Sequence, residues 1–161
     1  MINVNDITGI MVSLEVDKRI VLYILIAPDG IIKRLGDGRA DCKETQAFIG
    51  RVEPGIFKEL KAAYTQEMAN SLNQYYEIHE IKGQLCDLKV MVDVNGVEGY
   101  TQFVYGTASV GPSRDFADFA ARAVSLTNPW YAEQHRIMAE EKAAKAAKEV
   151  NVEKKSWWKP W

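Results

Sequence analysis

The chain has 161 residues, with 20 Lys and Arg against 22 Asp and Glu, and 47% of it is apolar. Those proportions exclude a disordered chain, a collagen-like chain and a small disulfide scaffold, and the length suits one domain with a short appendage. A net charge of −2 supplies no long-range field to draw in nucleic acid, so none is expected as a partner.

In chain order, Met1 to Asp6 lacks a basic stretch followed by an apolar one, so no signal peptide and a cytoplasmic location are expected. Ile10, Val12, Leu14 and Val16 alternate with Met11, Ser13, Glu15 and Asp17, the period-two pattern of a half-buried strand. Asp17-Lys18 suits a tight turn. Ile20 to Ile26 is apolar on both faces, as in a central strand, so Val21, Tyr23 and Leu25 need cover on the second face. That cover is either a C-terminal helix or a second copy of the chain across the sheet. Ala27-Pro28-Asp29-Gly30 carries turn chemistry, and Ile31 to Leu35 returns as the hairpin partner.

Residues 36–53 read as a polar connection. Pro54 suits the first position of a helix of about four turns over 54–69, with Ile56, Phe57, Leu60, Ala63, Tyr64 and Met68 on one face. Leu88 to Val94 alternates as a strand with one wet face. Asn95-Gly96 predicts a tight hairpin, with Gly99 to Tyr105 returning. Ser113 is placed to cap a helix whose stripe is Phe116, Phe119, Ala120, Ala123 and Val124, ending at Thr127 and Asn128. A further helix then starts with Asn128 as cap and Pro129 in its first turn. The expected fold is therefore α+β: an antiparallel sheet of about five strands in β-ββα-ββα order, helices on one face, and a C-terminal helical arm. The corresponding divisions are a body over 1–128, an arm over 129–150 and a flexible tail over 151–161.

No nucleophile, metal or nucleotide motif stands out. His79 and His135 have no second ligand at metal spacing, Cys42 and Cys86 read as reduced thiols, and no cofactor is expected. Two places remain. The loop with Gly36, Asp37, Gly38, Arg39 and Asp41 has the glycines of an anion nest with a cation beside it. With Ser113 and Arg114 at a helix start on the second loop, Gly106 to Arg114, it forms an alternative anion or phosphate site, for a small-ligand binder or an enzyme. The other place is the end of the chain, where Lys154, Lys155 and Lys159 interleave with Trp157, Trp158 and Trp161, while residues 1–128 hold 17 acidic and 13 basic side chains. Trp is a frequent anchor in protein interfaces, and Trp with Lys also suits a weak membrane-surface contact. The leading expectation is a non-enzymatic protein-binding or adaptor module that engages a protein partner through this tail, with a sheet-face homodimer as a second interface. An acidic dimeric chaperone for a secreted protein is a further alternative.

Overall fold

A computed structural model describes residues 2–157, with side chains to 150. A single turn of 3-10 helix, Val4–Asp6, precedes β1 (Ile7–Val16), β2 (Arg19–Ile26), β3 (Ile31–Leu35) and β4 (Phe48–Arg51). There follow α1 (Pro54–Ala63), α2 (Gln66–Asn70), β5 (Tyr75–Glu77), β6 (Leu85–Val94), β7 (Val97–Gly106) and α3 (Arg114–Trp157). The chain divides into two compact units, Met1–Asn128 and Pro129–Trp161.

The fold is α+β, but the sheet has seven strands in the order β4-β3-β2-β1-β6-β7-β5, not five. The two additional strands are short. β4 arises from the connection expected to be irregular and pairs antiparallel with β3, and the three residues of β5 pair parallel with β7. A parallel partner so near in sequence arrives only after a long excursion, which here is made by the hairpin β6–β7.

The turns follow their chemistry. Asp17 and Lys18 both take positive φ, as do Asn95 and Gly96, which matches the right-handed twist of the flanking strands. In the β2–β3 turn the Asp29 carboxylate accepts from the Ile31 amide at 3.1 Å, and Gly30 sits at φ 91°. Added to Gly30, a Cβ would stand 2.1 Å from the Val52 carbonyl oxygen, so only glycine lets the next segment close over this turn.

One face of the sheet carries the core. Ile10 and Val12 of β1, Ile24 and Ile26 of β2, Ile32 of β3, Val90 and Val92 of β6 and Phe103 of β7 are buried there. Phe57 and Leu60 of α1, and Phe116, Phe119 and Ala123 of α3, are buried with them. Ring contacts join Phe103 to Phe116 and Tyr64 to Phe119, with centroids 5.0 and 5.6 Å apart. The strand register puts Phe103, Leu88 and Leu14 on one face with Arg34, Ile24 and Val12. That face also holds a polar tie: Arg34 is fully buried, and its Nη1 donates to Thr127 Oγ1 at 3.0 Å.

Three local expectations are corrected. The helix expected over 54–69 breaks at Tyr64, whose backbone is extended, and Thr65 caps α2 by accepting from the Met68 amide. A β-bulge between Leu14 and Glu15 shifts the pairing of β2, so Val21 and Leu22 are both buried; Val21 packs with Val16 and Cys86 under Ala40 and Cys42 rather than on the second face. Thr127 and Asn128 do not end a helix, because α3 runs on through Pro129. The Thr127 hydroxyl donates back to the Ala123 carbonyl at 2.7 Å and so serves the helix already under way, leaving Pro129 to omit one donor within it.

In the second unit, the Tyr131 and His135 rings meet edge-on at 4.6 Å. Arg136 bridges Glu133 and Glu140, its Nε donating to Glu133 at 3.0 Å. Those hydrogen bonds hold the Glu133 carboxyl below its usual range and raise the guanidinium further.

Candidate protein-binding face

Strand alternation sends the other half of each strand to the second face of the sheet. Reading the register across one level gives Ile49 on β4, Lys33 on β3, Leu25 on β2, Met11 on β1, Met91 on β6 and Tyr100 on β7. The next level holds Leu35, Tyr23, Ser13, Lys89, Gln102 and Tyr75. Ile49 is 71% and Tyr100 48% exposed, Ile20, Ile31 and Tyr75 are exposed as well, and Met11, Tyr23, Leu25 and Met91 are half-buried. Across six neighbouring strands this level is therefore apolar except at Lys33, on a face that the core does not use. Contiguous apolar surface of this extent marks an interaction site more often than chance exposure does.

The charges on this face are unevenly spread. Lys33 and Arg51 lie on the β3–β4 side, with Asp29 3.9 Å from Arg51 at the turn. Glu15 lies on the central strand opposite Asp87, and Glu98, Asp93, Asp87 and Glu77 lie on the β6–β7–β5 side, with Lys89 among them. Asp87 accepts two hydrogen bonds from the Gln102 amide at 2.9 and 3.0 Å, and Asp93 accepts from the Gly96 amide at 2.8 Å, so both are held in place by neutral donors. The Lys33 ammonium stands 5.8 Å from the centre of the Tyr23 ring. Burial raises the Tyr23 phenol above its ordinary pKa, with the Glu98 charge adding to the effect.

The expected anion loops are placed differently from a binding site. The three amides that a nest would offer are already donated: Gly36 to Glu44 at 3.1 Å, Gly38 to the Val21 carbonyl at 2.9 Å and Arg39 to Asp37 at 2.9 Å. The Arg39 side chain is exposed beside Asp37. Gly36, at φ 77°, is there because a Cβ would stand 2.0 Å from the Val21 carbonyl oxygen. Both loops do leave the same end of the sheet, since β3 and β7 run parallel to β1. However, β2, β1 and β6 stand between β3 and β7, which separates them by roughly 19 Å at ordinary strand spacing. Arg114 faces outward to Asp118 at 3.6 Å.

Ser113 instead borders a cavity of about 500 Å³. Met68, Tyr76, Phe103 and Phe116 line it, with Glu67 and Asp115 as its charged side chains. The Tyr76 and Phe103 rings are stacked there at 5.0 Å. Two carboxylates and an aromatic floor do not suit an anion.

Cys42 and Cys86 share one apolar cluster, and burial raises the Cys86 thiol above its ordinary pKa, with the Asp17 charge adding to it. His79 is exposed. Among the described residues no group of three or more His, Cys, Asp or Glu could hold a metal ion, and no helix is long and apolar enough to cross a membrane. The tail residues Lys154, Lys155, Trp157, Trp158, Lys159 and Trp161 have side chains outside the described residues. No protein-family model and no curated protein sequence matches this chain.

The sequence signal for the open face lay in β1 and β6. Met11 and Met91 occupy the half of each alternation that a solvated strand fills with polar residues.

Proposed function

We propose that the chain is a non-enzymatic protein-binding module and that the second face of its sheet is where it binds. The observation that carries this reading is the apolar run Leu25, Met11, Met91 and Tyr100 on four neighbouring strands, with Ile49 beyond Lys33 at its end. Interfaces gain most from a few large side chains in a flat, desolvated centre, and Met, Tyr and Arg are enriched there. Each is present on this face. The Lys- and Trp-rich end of the chain, Lys154 to Trp161, is a second contact on grounds of composition alone, since tryptophan is a frequent anchor in protein interfaces.

A photo-crosslinking residue placed at Ile49 or Tyr100 of the full chain in its native cells tests the reading. Protein adducts at those two positions, and none from a control at exposed Lys58 on α1, are expected. Equal labelling at all three positions, or none, overturns it. The alternative of a phosphate-binding protein built on Arg39 and Arg114 has the spent loop amides against it.

A further inference from the structure

We propose that the edge strand β5 takes an extended peptide segment of a partner protein as a further strand of the sheet, and that one Arg or Lys of that segment reaches into the cavity beside it. β5 ends the strand order, so its outer side has no neighbour in the sheet. On its inner side the Gln102 amide donates to the Gln74 carbonyl at 3.1 Å, and the Ile78 amide donates to the Val104 carbonyl at 3.0 Å. Successive residues of a strand turn their N–H and C=O to opposite sides, so Gln74, Tyr76 and Ile78 serve β7 while Tyr75 and Glu77 point outward. No other described residue bonds the Tyr75 or Glu77 backbone, and both residues are exposed. Their N–H and C=O groups stand open to an added strand running in either direction.

A short edge is one way in which sheets avoid pairing with other chains, so backbone bonds to three residues do not hold a partner by themselves. The cavity supplies the rest. Neighbours across a ladder share a face, so the added residue opposite Tyr76 carries its side chain where Tyr76 carries its ring. That ring stacks on Phe103 at 5.0 Å, Phe103 meets Phe116 at 5.0 Å, and all three line the cavity of about 500 Å³ together with Met68. Glu67 of α2 and Asp115 of α3 are its charged side chains, and neither forms an ion pair with a described residue. Two cations of the flanking segments, Arg114 and Lys82, pair with Asp118 at 3.6 Å and Glu80 at 3.8 Å instead. Arg122, which borders a separate hollow with Asp115, is not within ion-pair distance of it.

Aromatic faces together with two unpaired carboxylates select a cation on an apolar stem, which describes the side chains of Arg and Lys. The stem has to be long, because the cavity lies over β5 and β7, about 4.8 Å inside the position of an added strand. A planar guanidinium stacks on rings and is more weakly hydrated than an ammonium, so Arg is preferred to Lys. The peptide residues on either side of it turn to the opposite face of the sheet, beside Tyr75 and Glu77, where β-branched side chains pack well.

The probe is the peptide acetyl-Thr-Val-Arg-Val-Thr-amide, titrated to about 5 mM into the isotope-labelled full chain and followed by amide NMR, since so small a contact gives a dissociation constant on the order of 1 mM. Saturable shifts are expected at the Tyr75 and Glu77 amides. Norleucine or Glu in place of the central Arg should weaken binding about tenfold or more. Glu67→Gln combined with Asp115→Asn should remove the preference for Arg over norleucine, with an unchanged circular dichroism spectrum. Glu77→Pro deletes an outward N–H that the fold does not use and should abolish binding. If that variant misfolds, a peptide N-methylated at every backbone amide, which should not bind, decides in its place.

The absence of saturable shifts with the Arg peptide overturns the proposal, and so do shifts that avoid Tyr75 and Glu77. An affinity indifferent to the central residue, or a preference for Arg that survives the loss of both carboxylates, overturns it as well. The edge and the open face are different surfaces. Adducts through Ile49 and Tyr100 without peptide binding remove the edge site alone, and peptide binding without those adducts removes the open face alone.

Discussion

Thr127→Val changes one buried oxygen for a methyl group and isolates the tie between sheet and helix. Arg34 is fully buried, and its guanidinium donates to Thr127 Oγ1 at 3.0 Å, to the Val124 carbonyl at 3.4 Å and to the Gly36 carbonyl at 3.3 Å. The substitution removes the shortest of these three. Hydrogen bonds to charged groups contribute about 1.5–3 kcal/mol, and a buried methyl returns about 0.8 kcal/mol. Losing the second bond to the Ala123 carbonyl matters less, since that oxygen keeps its place in the helical ladder. The net cost is about 2 kcal/mol. For a chain of this length that is a fall in Tm of about 4–8 °C, or about 1 M in the urea midpoint. Thr127→Ser keeps the hydroxyl and loses only the methyl, about 1 kcal/mol, so stability should fall in the order parent, Ser, Val. In an Arg34→Met background the Val penalty should drop below about 0.5 kcal/mol, because the group it starves is gone. Urea denaturation followed by circular dichroism measures all five proteins. A Val variant as stable as the parent refutes the reasoning, and so does a penalty that persists unchanged in the Arg34→Met background.

Four further outcomes are expected. The Tyr64 hydroxyl is buried with no hydrogen-bond partner among the described residues, so Tyr64→Phe should stabilise the fold by about 1 kcal/mol; a destabilised variant would mean that a water or a side chain serves it. Burial pushes the Tyr64 and Tyr105 phenols up to about 12, Cys86 and Asp87 also contributing at Tyr105, while an unfolded chain ionises its tyrosines near 10. Their stabilisation is therefore whole below pH 10 and is lost between pH 10 and about 12, and Tyr64→Phe should shallow that alkaline decline relative to the parent. Gly36→Ala and Gly38→Ala share a positive φ but differ in space, because only the first drives a Cβ against backbone, so Gly36→Ala should cost more than about 3 kcal/mol and Gly38→Ala about 1 kcal/mol. Inorganic phosphate should leave the Tm of the parent and of Arg39→Ala equal; a rise in the parent alone would restore the loop as an anion site.

Much of the fold was legible because its main signals are local. The alternations in β1 and β6, the Asn95-Gly96 turn and the apolar stripe of α3 all depend on neighbours a few residues away. What escaped depends on distant partners. Phe48 to Arg51 is too short to show a period and becomes a strand only by pairing with β3, and Tyr75 to Glu77 does so only beside β7. Thr127-Asn128-Pro129 has the composition of a helix boundary, yet the Thr127 hydroxyl is occupied by Arg34, 93 residues earlier, and by the turn behind it. Val21 departs from the alternation of β2 because it is the extra residue of a bulge opposite Leu14 and Glu15, and a bulge has no sequence period of its own.

The same contrast explains the candidate site. Gly36 to Asp41 drew attention because glycines beside a cation look like a ligand loop, and its glycines answer to the backbone of β2 instead. The open face drew less attention because its residues are scattered over six strands, from Met11 to Tyr100, and share no motif. They become one surface only through register. A strand pattern that places methionine where a solvated face would place serine or lysine is a local trace of that surface. In β1 and β6 the two methionines are cross-strand neighbours, which is what a dry centre for an interface requires.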